Sequence, residues 1–182
     1  MQWTARHSCP SSFKTGGVMA LPFADASFDA VSIERTLQHL TDPVGAMAEL
    51  ARVLWHGGRL AALEPGCHTV VVAGGPMEVL RAYVHQKADM GAGQGAIGRD
   101  LPWLLRQAGC TPTEISGEVL VMRDLASADV ILSLRGNLAG TVDAGTLLAD
   151  AANDWWTARE ERDRSEVFYC FDQRGSVGAT RE

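Results

Sequence analysis

The chain has 182 residues, of which 46% are hydrophobic and 21% charged, and this composition is typical of one globular domain rather than two. The net charge is −6 and no block of like charges occurs, which argues against a nucleic-acid partner held by phosphate contacts. Four scattered cysteines without a CxxC pair predict reduced thiols in the cytoplasm rather than disulfides. No apolar run approaches the ~20 residues of a membrane span, and the start of the chain lacks the apolar segment of a secretory leader, so no membrane partner is expected.

The first part of the chain changes character near residue 18. Residues 1–18 are polar, contain Pro10 and the Gly16-Gly17 pair, and show no periodicity, which predicts an irregular segment. The apolar run FDAVSIE at 28–34 then predicts a buried strand. We therefore divide the chain into an irregular segment, 1–18, and one domain, 19–182.

A helix and a second strand follow directly. Asp42 is a good N-cap and Pro43 a good first helical residue, and apolar residues then recur at helical spacing until the HGG stretch at 56–58, where we expect the helix to end. RLAALEP at 59–65 predicts the next strand. Strand, helix and strand within about forty residues indicate a right-handed βαβ unit with parallel strands.

The rest of the chain alternates helices and strands. The pattern predicts helices at 76–88, in the LPWLLRQAG stretch after Asp100, at 124–138 and at 146–164, and strands at 112–122 and in the C-terminal stretches EVFYCF and SVGATR. The helices over about 124–165 would form a separate cover on the sheet. The mixed-charge stretch AREERDRSE is most simply a solvated helix face.

Two weaker motifs point to ligands. Gly93, Gly95 and Gly98 satisfy GxGxxG, but a dinucleotide site needs a strand before that loop and an acidic residue after a second strand, so a flexible connector is the simpler interpretation. The adjacencies His7/Cys9 and Cys67/His68 lack the short paired spacing of zinc ligands. We therefore predict no metal.

A stronger candidate site lies where the two predicted parallel strands end. Residues 34–39 (ERTLQH) leave the first strand, and Glu64 leaves the second. Ligands of open parallel sheets bind at the carboxyl ends of the strands, so Glu34, Arg35, His39 and Glu64 could form a polar pocket. In the alternative interpretation, Arg35 merely pairs with Glu64 or Glu34, and His39 packs at the rim of the sheet.

The stretch ALPFADASFDAVSIERTLQHLTDPVGAMAELARVLWHGGRLAALEPG, from residue 20, resembles the central motifs of class I S-adenosylmethionine-dependent methyltransferases, in particular those of quinone and secondary-metabolite biosynthesis. The matching motifs are LPF-x-D-x-SFD-x-V, ER-x-L-x-H, E-x-x-RVL-x-x-GG-x-L and EP. GRDLPWLLRQAGC and DLASADVILSL also resemble that subgroup. The resemblance implies an α/β, Rossmann-like sheet that retains the fourth, fifth, seventh and sixth family strands, the last two antiparallel, and methyl transfer to a small-molecule acceptor.

The resemblance also implies roles for particular residues. On its adenine side, S-adenosylmethionine would contact Met19, Ala20 and Leu21. At its methionine end it would contact Glu34 and Arg35, and the acceptor would face Gln38, His39 and Glu64. His39 or Glu34 would accept the proton of the acceptor.

Departures from the family pattern lead to further expectations. The family's first strand, its glycine-rich cofactor loop and the acidic residue that binds the ribose have no counterpart upstream of Gly16, and Gly17 stands where an acidic residue usually contacts the adenine. We therefore expect an N-terminally truncated domain, weak cofactor binding by this chain alone, and an open strand edge that pairs with a second copy or a complementing chain. An inactive methyltransferase-like remnant that binds or oligomerises, and a nucleotide-binding module using the loop at 91–98, are the alternatives.

Overall fold

The computed structural model describes residues 12–91 and 93–182, which form one five-stranded sheet flanked by helices. The strands are β1 (Phe28–Glu34), β2 (Leu54–Pro65), β3 (Val71–Val72), β4 (Cys110–Met122) and β5 (Cys170–Arg181). The helices are α1 (Pro43–Val53), α2 (Met77–His85), α3 (Leu101–Gln107), α4 (Leu125–Leu132), α5 (Leu134–Asp143) and α6 (Ala149–Arg164). None of the helices in this part of the chain is long and apolar enough to cross a membrane.

The sheet has the strand order expected from the resemblance. β1 pairs with β2 in parallel, and β5 is antiparallel both to β2 and to β4, so the order across the sheet is β1-β2-β5-β4. The short β3 pairs with the beginning of β5 beyond the end of β2. The predicted βαβ unit and the antiparallel final pair are therefore confirmed. Of the two predicted C-terminal strand stretches, residues 166–169 of the first lie before β5, and the rest of both stretches belongs to the single strand β5, which pairs along its length with β4.

Two hydrophobic clusters hold the molecule together. Helices α1 and α3 cover one face of the sheet through a cluster that includes Met47, Leu54, Leu104 and Val177. A second cluster joins α2 and α4–α6 to β3 and to the beginning of β5. This helical cover lies over the end of the sheet where β2 ends, and it includes α2 as well as the helices within 124–165.

The opposite face of the sheet is not covered by any helix in the described residues. Ala30 and Ser32 of β1 and Ala61 of β2 are exposed, and together with Gly178 of β5 they line a shallow depression of about 450 Å³. Small side chains along neighbouring strands leave this face flat. Within the same described residues, β1 pairs only with β2, so its outer edge carries no strand partner.

Helix boundaries correct the sequence predictions in two places. Helix α1 begins as expected, with Asp42 accepting a hydrogen bond from the N–H of Gly45 at 2.8 Å, but it ends at Val53 because Leu54 has extended backbone angles and begins β2. The helix predicted over 124–138 is two helices. They are separated at Ser133, whose left-handed backbone (φ +53) turns the chain.

The N-terminal prediction is covered only in part. The irregular segment is predicted over 1–18, and its residues 1–11 lie outside the described residues. The His7/Cys9 adjacency is among them. Residues 12–16 have neither helix nor strand, and Gly17 forms an isolated antiparallel bridge with Ala20.

Candidate functional site

A tight turn at the end of β1 carries most of the residues predicted to form the site. Arg35 has φ +51, a left-handed conformation that is uncommon for a residue with a side chain. Its N–H donates to the carbonyl of Leu63 on β2 at 2.9 Å, which holds the turn against the neighbouring strand. Because strained backbone of this kind clusters at functional sites, the turn is a candidate binding element. The side chains of Glu34 and Arg35 are both exposed.

Glu64, the acidic residue near the end of β2, stabilises this turn through hydrogen bonds to its backbone. Its side chain is fully buried, and its Oε1 accepts hydrogen bonds from the N–H groups of Thr36 at 2.9 Å and Leu37 at 2.7 Å. Burial raises the pKa of the Glu64 carboxyl, and the backbone hydrogen bonds partly oppose that rise. Its Oε2 is buried with no hydrogen-bond partner in the described part of the chain. The predicted substrate residue is therefore in contact with the protein backbone.

Gln38 and His39 lie on the short 3-10 helix that follows the turn (Leu37–His39). Gln38 is only 6% exposed. Its Nε2 donates to the carbonyl of Arg35 at 3.4 Å, and its Oε1 accepts from the thiol of Cys67 at 3.6 Å. His39 is exposed. The structure thus directs Gln38 and Glu64 inward and leaves His39, Glu34 and Arg35 facing outward.

The segment containing Met19, Ala20 and Leu21 is fastened to α1. The N–H of Leu21 donates to Oε1 of Glu49 at 2.7 Å, and the guanidinium of Arg52 donates to the carbonyls of Leu21 and Phe23 at 3.3 and 3.0 Å. Hydrogen bonds from Arg52 and from this backbone lower the pKa of Glu49 to about 2.

The other two residues of this segment remain available to a ligand. Met19 and Ala20 are exposed, although the segment that carries them is held in place through Leu21. The adenine side of the predicted site is therefore a fixed loop with two free side chains.

Asp172, on β5, is a functional candidate that the sequence reasoning missed. It is 2% exposed, and its Oδ1 has no hydrogen-bond partner within the described residues. Burial raises the pKa of its carboxyl, although Lys87, Arg174 and Arg35 pull the value down by their positive charge. The only signal in the sequence is that Asp172 directly follows the apolar run VFYCF.

The glycine-rich loop serves backbone packing in this structure. A Cβ on Gly95 would lie 2.6 Å from the backbone of Ala88, and one on Gly98 would lie 3.1 Å from the carbonyl oxygen of Glu64. The loop follows a π-helical turn (Gln86–Gly91) rather than a strand. Two of its glycines are thus explained by close contacts, and the strand that a dinucleotide loop requires does not precede it.

The donor set at the end of β1 suits the methionine end of S-adenosylmethionine. An exposed carboxylate at Glu34 can accept from an ammonium group, and an exposed guanidinium at Arg35 can donate to a carboxylate. The loop at 19–21, which is hydrogen-bonded to α1, adds the exposed side chains of Met19 and Ala20. The chemistry of these side chains therefore fits that end of the cofactor.

Comparison with known proteins finds methyltransferases among those similar to this chain. A sequence family described as a methyltransferase domain matches residues 2–62. The chain is 38% identical over 140 residues to an uncharacterized 37.1 kDa protein in transposon TN4556 of Streptomyces fradiae, covering 77% of this chain and 41% of that protein. It is 52% identical over 50 residues to the ubiquinone/menaquinone biosynthesis C-methyltransferase UbiE of Paracoccus denitrificans, covering 28% of this chain and 20% of that enzyme.

Solved structures share the fold. A Bacillus halodurans C-125 protein assigned as a methyltransferase has a TM-score of 0.57 at 16% identity, covering 91% of this chain and 69% of that one. The YcgJ protein of Bacillus subtilis has a TM-score of 0.53 at 19% identity, covering 93% and 71%. The chain spans less than half the length of the curated relatives named above. The sequence match over residues 2–62 and the fold of the described residues make the chain similar to methyltransferases.

Proposed function

We propose that the chain takes part in transfer of a methyl group from S-adenosylmethionine to a small-molecule acceptor, as one partial methyltransferase domain over residues 19–182. The observation that carries the proposal is the turn after β1, where an exposed carboxylate (Glu34) and an exposed guanidinium (Arg35) stand on a strained backbone held by β2. When bound, the cofactor supplies a methyl group made electrophilic by a positively charged sulfur. The protein then contributes orientation and exclusion of water.

The residues divide between cofactor and acceptor. We assign Met19, Ala20 and Leu21 to the adenine side, and Glu34 and Arg35 to the methionine end, because the first group is fastened to α1 and the second lies at the carboxyl end of β1. On the acceptor side we assign Gln38, His39 and Glu64.

The roles on the acceptor side differ with exposure. His39 is exposed at the rim, where it and Glu34 are candidate proton acceptors. Glu64 is fully buried and acts as a positioning residue, since it fixes the turn that carries Gln38 and His39. The relative named as a ubiquinone/menaquinone biosynthesis C-methyltransferase supports a small-molecule acceptor. We also place the reaction in the cytoplasm, in keeping with the free thiols of Cys67, Cys110 and Cys170.

Calorimetric titration with S-adenosylmethionine and S-adenosylhomocysteine tests the cofactor assignment. We expect both to bind, and we expect Glu34→Gln and Arg35→Met to weaken binding about tenfold each, the effect of losing one charge-assisted hydrogen bond. Arg106→Met, an exposed arginine on α3, is the matched control. The proposal is wrong if neither ligand binds, or if the control weakens binding as much as Arg35→Met.

A second candidate function rests on the uncovered side of the sheet. The bare face around Ala61 and the outer edge of β1 are open in the described residues, which supports a methyltransferase-like module that associates with a second copy or a complementing chain without transferring methyl groups. Cofactor binding discriminates between the two. Self-association without binding of either ligand would favour this candidate.

A further inference from the structure

The outer strand β4 has a long edge that no other strand covers in the described residues. β4 pairs with β5 from Cys110 to Met122 and with no further strand in this part of the chain. A bulge between Pro112 and Glu114 interrupts the beginning of β4, and proline lacks an N–H group, so the regular part of the edge begins at Glu114. The backbone N–H and C=O groups along this edge are open to pairing with another strand.

The side of β4 that lies on the same face of the sheet as α3 is apolar. Ile115, Val119 and Val121 are 67%, 56% and 53% exposed, and alternate residues of a strand share one face. Val177, which pairs with Ile115, packs in the hydrophobic cluster of α1 and α3, so the exposed row lies on that face. Exposed β-branched side chains beside an open edge favour pairing with a further strand.

Gly117 interrupts this row and opens a cavity. It pairs with Gly175 on β5, and both glycines line a cavity of about 360 Å³ together with Gly98 and Arg99. A Cβ on Gly117 would have only the carbonyl oxygen of Arg174 within 4 Å, at 3.8 Å, so the packing of the described residues does not require a glycine. A glycine inside a strand often marks the close approach of a ligand or another backbone, and an aromatic side chain on a neighbouring strand can cover an edge glycine.

The other side of β4 is acidic. Glu114 and Glu118 are exposed, and neither forms an ion pair within the described residues, although Arg174 pairs with Glu118 in the ladder. Opposite charges on neighbouring strands stabilise pairing, and like charges destabilise it. Two copies of β4 paired with each other would bring both glutamates of each chain into one ladder. The edge therefore fits a basic strand better than a second copy of this chain.

We propose that β4 binds an extended segment of another protein, which adds a strand antiparallel to β4 and carries an aromatic residue among basic and β-branched ones. Antiparallel pairing continues the arrangement of β4 and β5. The aromatic residue lies opposite Gly117 and fills the cavity, where Arg99 can contact the face of its ring. Basic residues of the segment lie opposite Glu118 and Glu114. The segment Val-Lys-Phe-Thr-Val-Lys has this pattern when its phenylalanine pairs with Gly117.

The parts of this surface have separate roles. Hydrogen bonds to the backbone of β4 supply affinity for any extended segment, and the cavity and the glutamates select its side chains. The β-branched residues of the segment pair with Val119 and Ile115, which are exposed in the absence of a partner. None of these contacts involves the residues assigned to methyl transfer, so the inference does not depend on the proposed function.

Fluorescence anisotropy of a labelled peptide, mixed with the full chain, tests the proposal. The probe is fluorescein-VKFTVK, and we expect it to bind. A peptide with alanine in place of phenylalanine, and a scrambled peptide of the same composition, should bind at least about tenfold more weakly. Two further peptides are methylated on alternate backbone nitrogens. Only one of these two should bind, because only one set of N–H groups in an added strand faces β4.

Variants of the chain locate the binding surface. Gly117→Val fills the floor of the cavity without a clash, and it should weaken binding about fivefold or more while circular dichroism stays unchanged. Gly136→Val on α5, where an added Cβ has no neighbour within 4 Å, is the matched control. Glu118→Lys should weaken binding of VKFTVK by a similar factor, and the peptide VEFTVK should restore it. Asp150→Lys, at an exposed position on α6, makes the same charge change away from β4.

Several results would overturn the proposal. These are no binding of the probe, equal binding of the scrambled peptide, binding of both methylated peptides, and equal effects of Glu118→Lys and Asp150→Lys. A self-associated wild-type chain that becomes monomeric in Ile115→Lys would assign the edge of β4 to a second copy, and the proposal would be wrong.

Discussion

The carboxylate of Glu64, at the end of β2, accepts a hydrogen bond of 2.7 Å from the backbone N–H of Leu37, in the turn that leaves β1. The same oxygen accepts from Thr36 at 2.9 Å. One buried side chain thus caps the short 3-10 helix of the neighbouring strand-end turn. The position of Gln38 and His39 depends on this connection.

We expect Glu64→Ala to lower the free energy of unfolding by about 3 kcal/mol, because it leaves the partly buried N–H of Thr36 and the buried N–H of Leu37 without an acceptor. Glu64→Gln keeps an acceptor oxygen and removes a buried charge, so its effect should stay below about 1.5 kcal/mol. Urea unfolding followed by circular dichroism measures both. Glu118→Ala, an exposed glutamate on β4, is the control, and similar losses from Glu64→Ala and Glu118→Ala would contradict the capping role.

Acid should release the loop at 19–21 from α1. Hydrogen bonds from Arg52 and the N–H of Leu21 lower the pKa of Glu49 from 4.5 to about 2. A carboxyl whose pKa is lowered by folding stabilises the protein above its unfolded pKa, and that stabilisation disappears as the pH falls from about 4.5 to about 2. Melting temperatures measured across this range should converge for the wild-type chain and Glu49→Gln.

The matched control for this experiment is Glu114→Gln, an exposed glutamate on β4. The difference between its melting temperature and that of the wild-type chain should be the same at all pH values. A constant difference between wild type and Glu49→Gln down to the acid limit would show that the carboxylate does not hold the loop.

The sequence predicted local elements better than it predicted which side chains face inward. Capping by Asp42 and the alternation of strand, helix and strand depend on near neighbours, so the pattern located β1, α1 and the later part of β2. The break at Ser133 was missed because no residue pattern marks its left-handed backbone. Asp129 stabilises the break: its carbonyl accepts a hydrogen bond from the N–H of Ser133, and its side chain accepts one from the N–H of Arg135.

The candidate site shows the same division between local and distant information. The sequence located the polar residues at the ends of two strands, but it did not show that Glu64 is occupied by backbone donors. Asp172 could not be connected with this site, because it lies more than a hundred residues downstream. Only the insertion of β5 beside β2 brings it to the same edge.

Removing the charge of Asp172 should stabilise the chain near neutral pH. Burial raises the pKa of this carboxyl above 3.8 despite the positive charges of Lys87, Arg174 and Arg35. The folded state then binds more protons than the unfolded state, so stability falls as the pH rises from about 3.8 through the raised pKa.

The neutral variant Asp172→Asn lacks this fall in stability. Its free energy of unfolding near neutral pH should exceed that of the wild-type chain by about 1–3 kcal/mol, the usual cost of an unsatisfied buried group. Urea unfolding at several pH values between about 4 and 8 measures the difference. A variant less stable than wild type near neutral pH would mean that interactions of the carboxylate within the protein outweigh the cost of burying its charge.

The outer edge of β1 should cause the chain to self-associate. β1 pairs only with β2 among the described residues, and an unpaired strand edge beside a flat face is a template for another strand. Ser32 is exposed on that face, and a lysine there places a charge at the edge, which is a device that natural sheets use to block pairing.

We expect light scattering to give a mass above the 19.5 kDa of one chain for the wild type, and a mass close to that of one chain for Ser32→Lys. Thr157→Lys adds the same charge on α6, an exposed position remote from the edge, and should leave the assembly intact. A wild-type chain that stays monomeric at micromolar concentration contradicts the prediction directly, and dissociation by both variants would assign the effect to net charge rather than to the edge of β1.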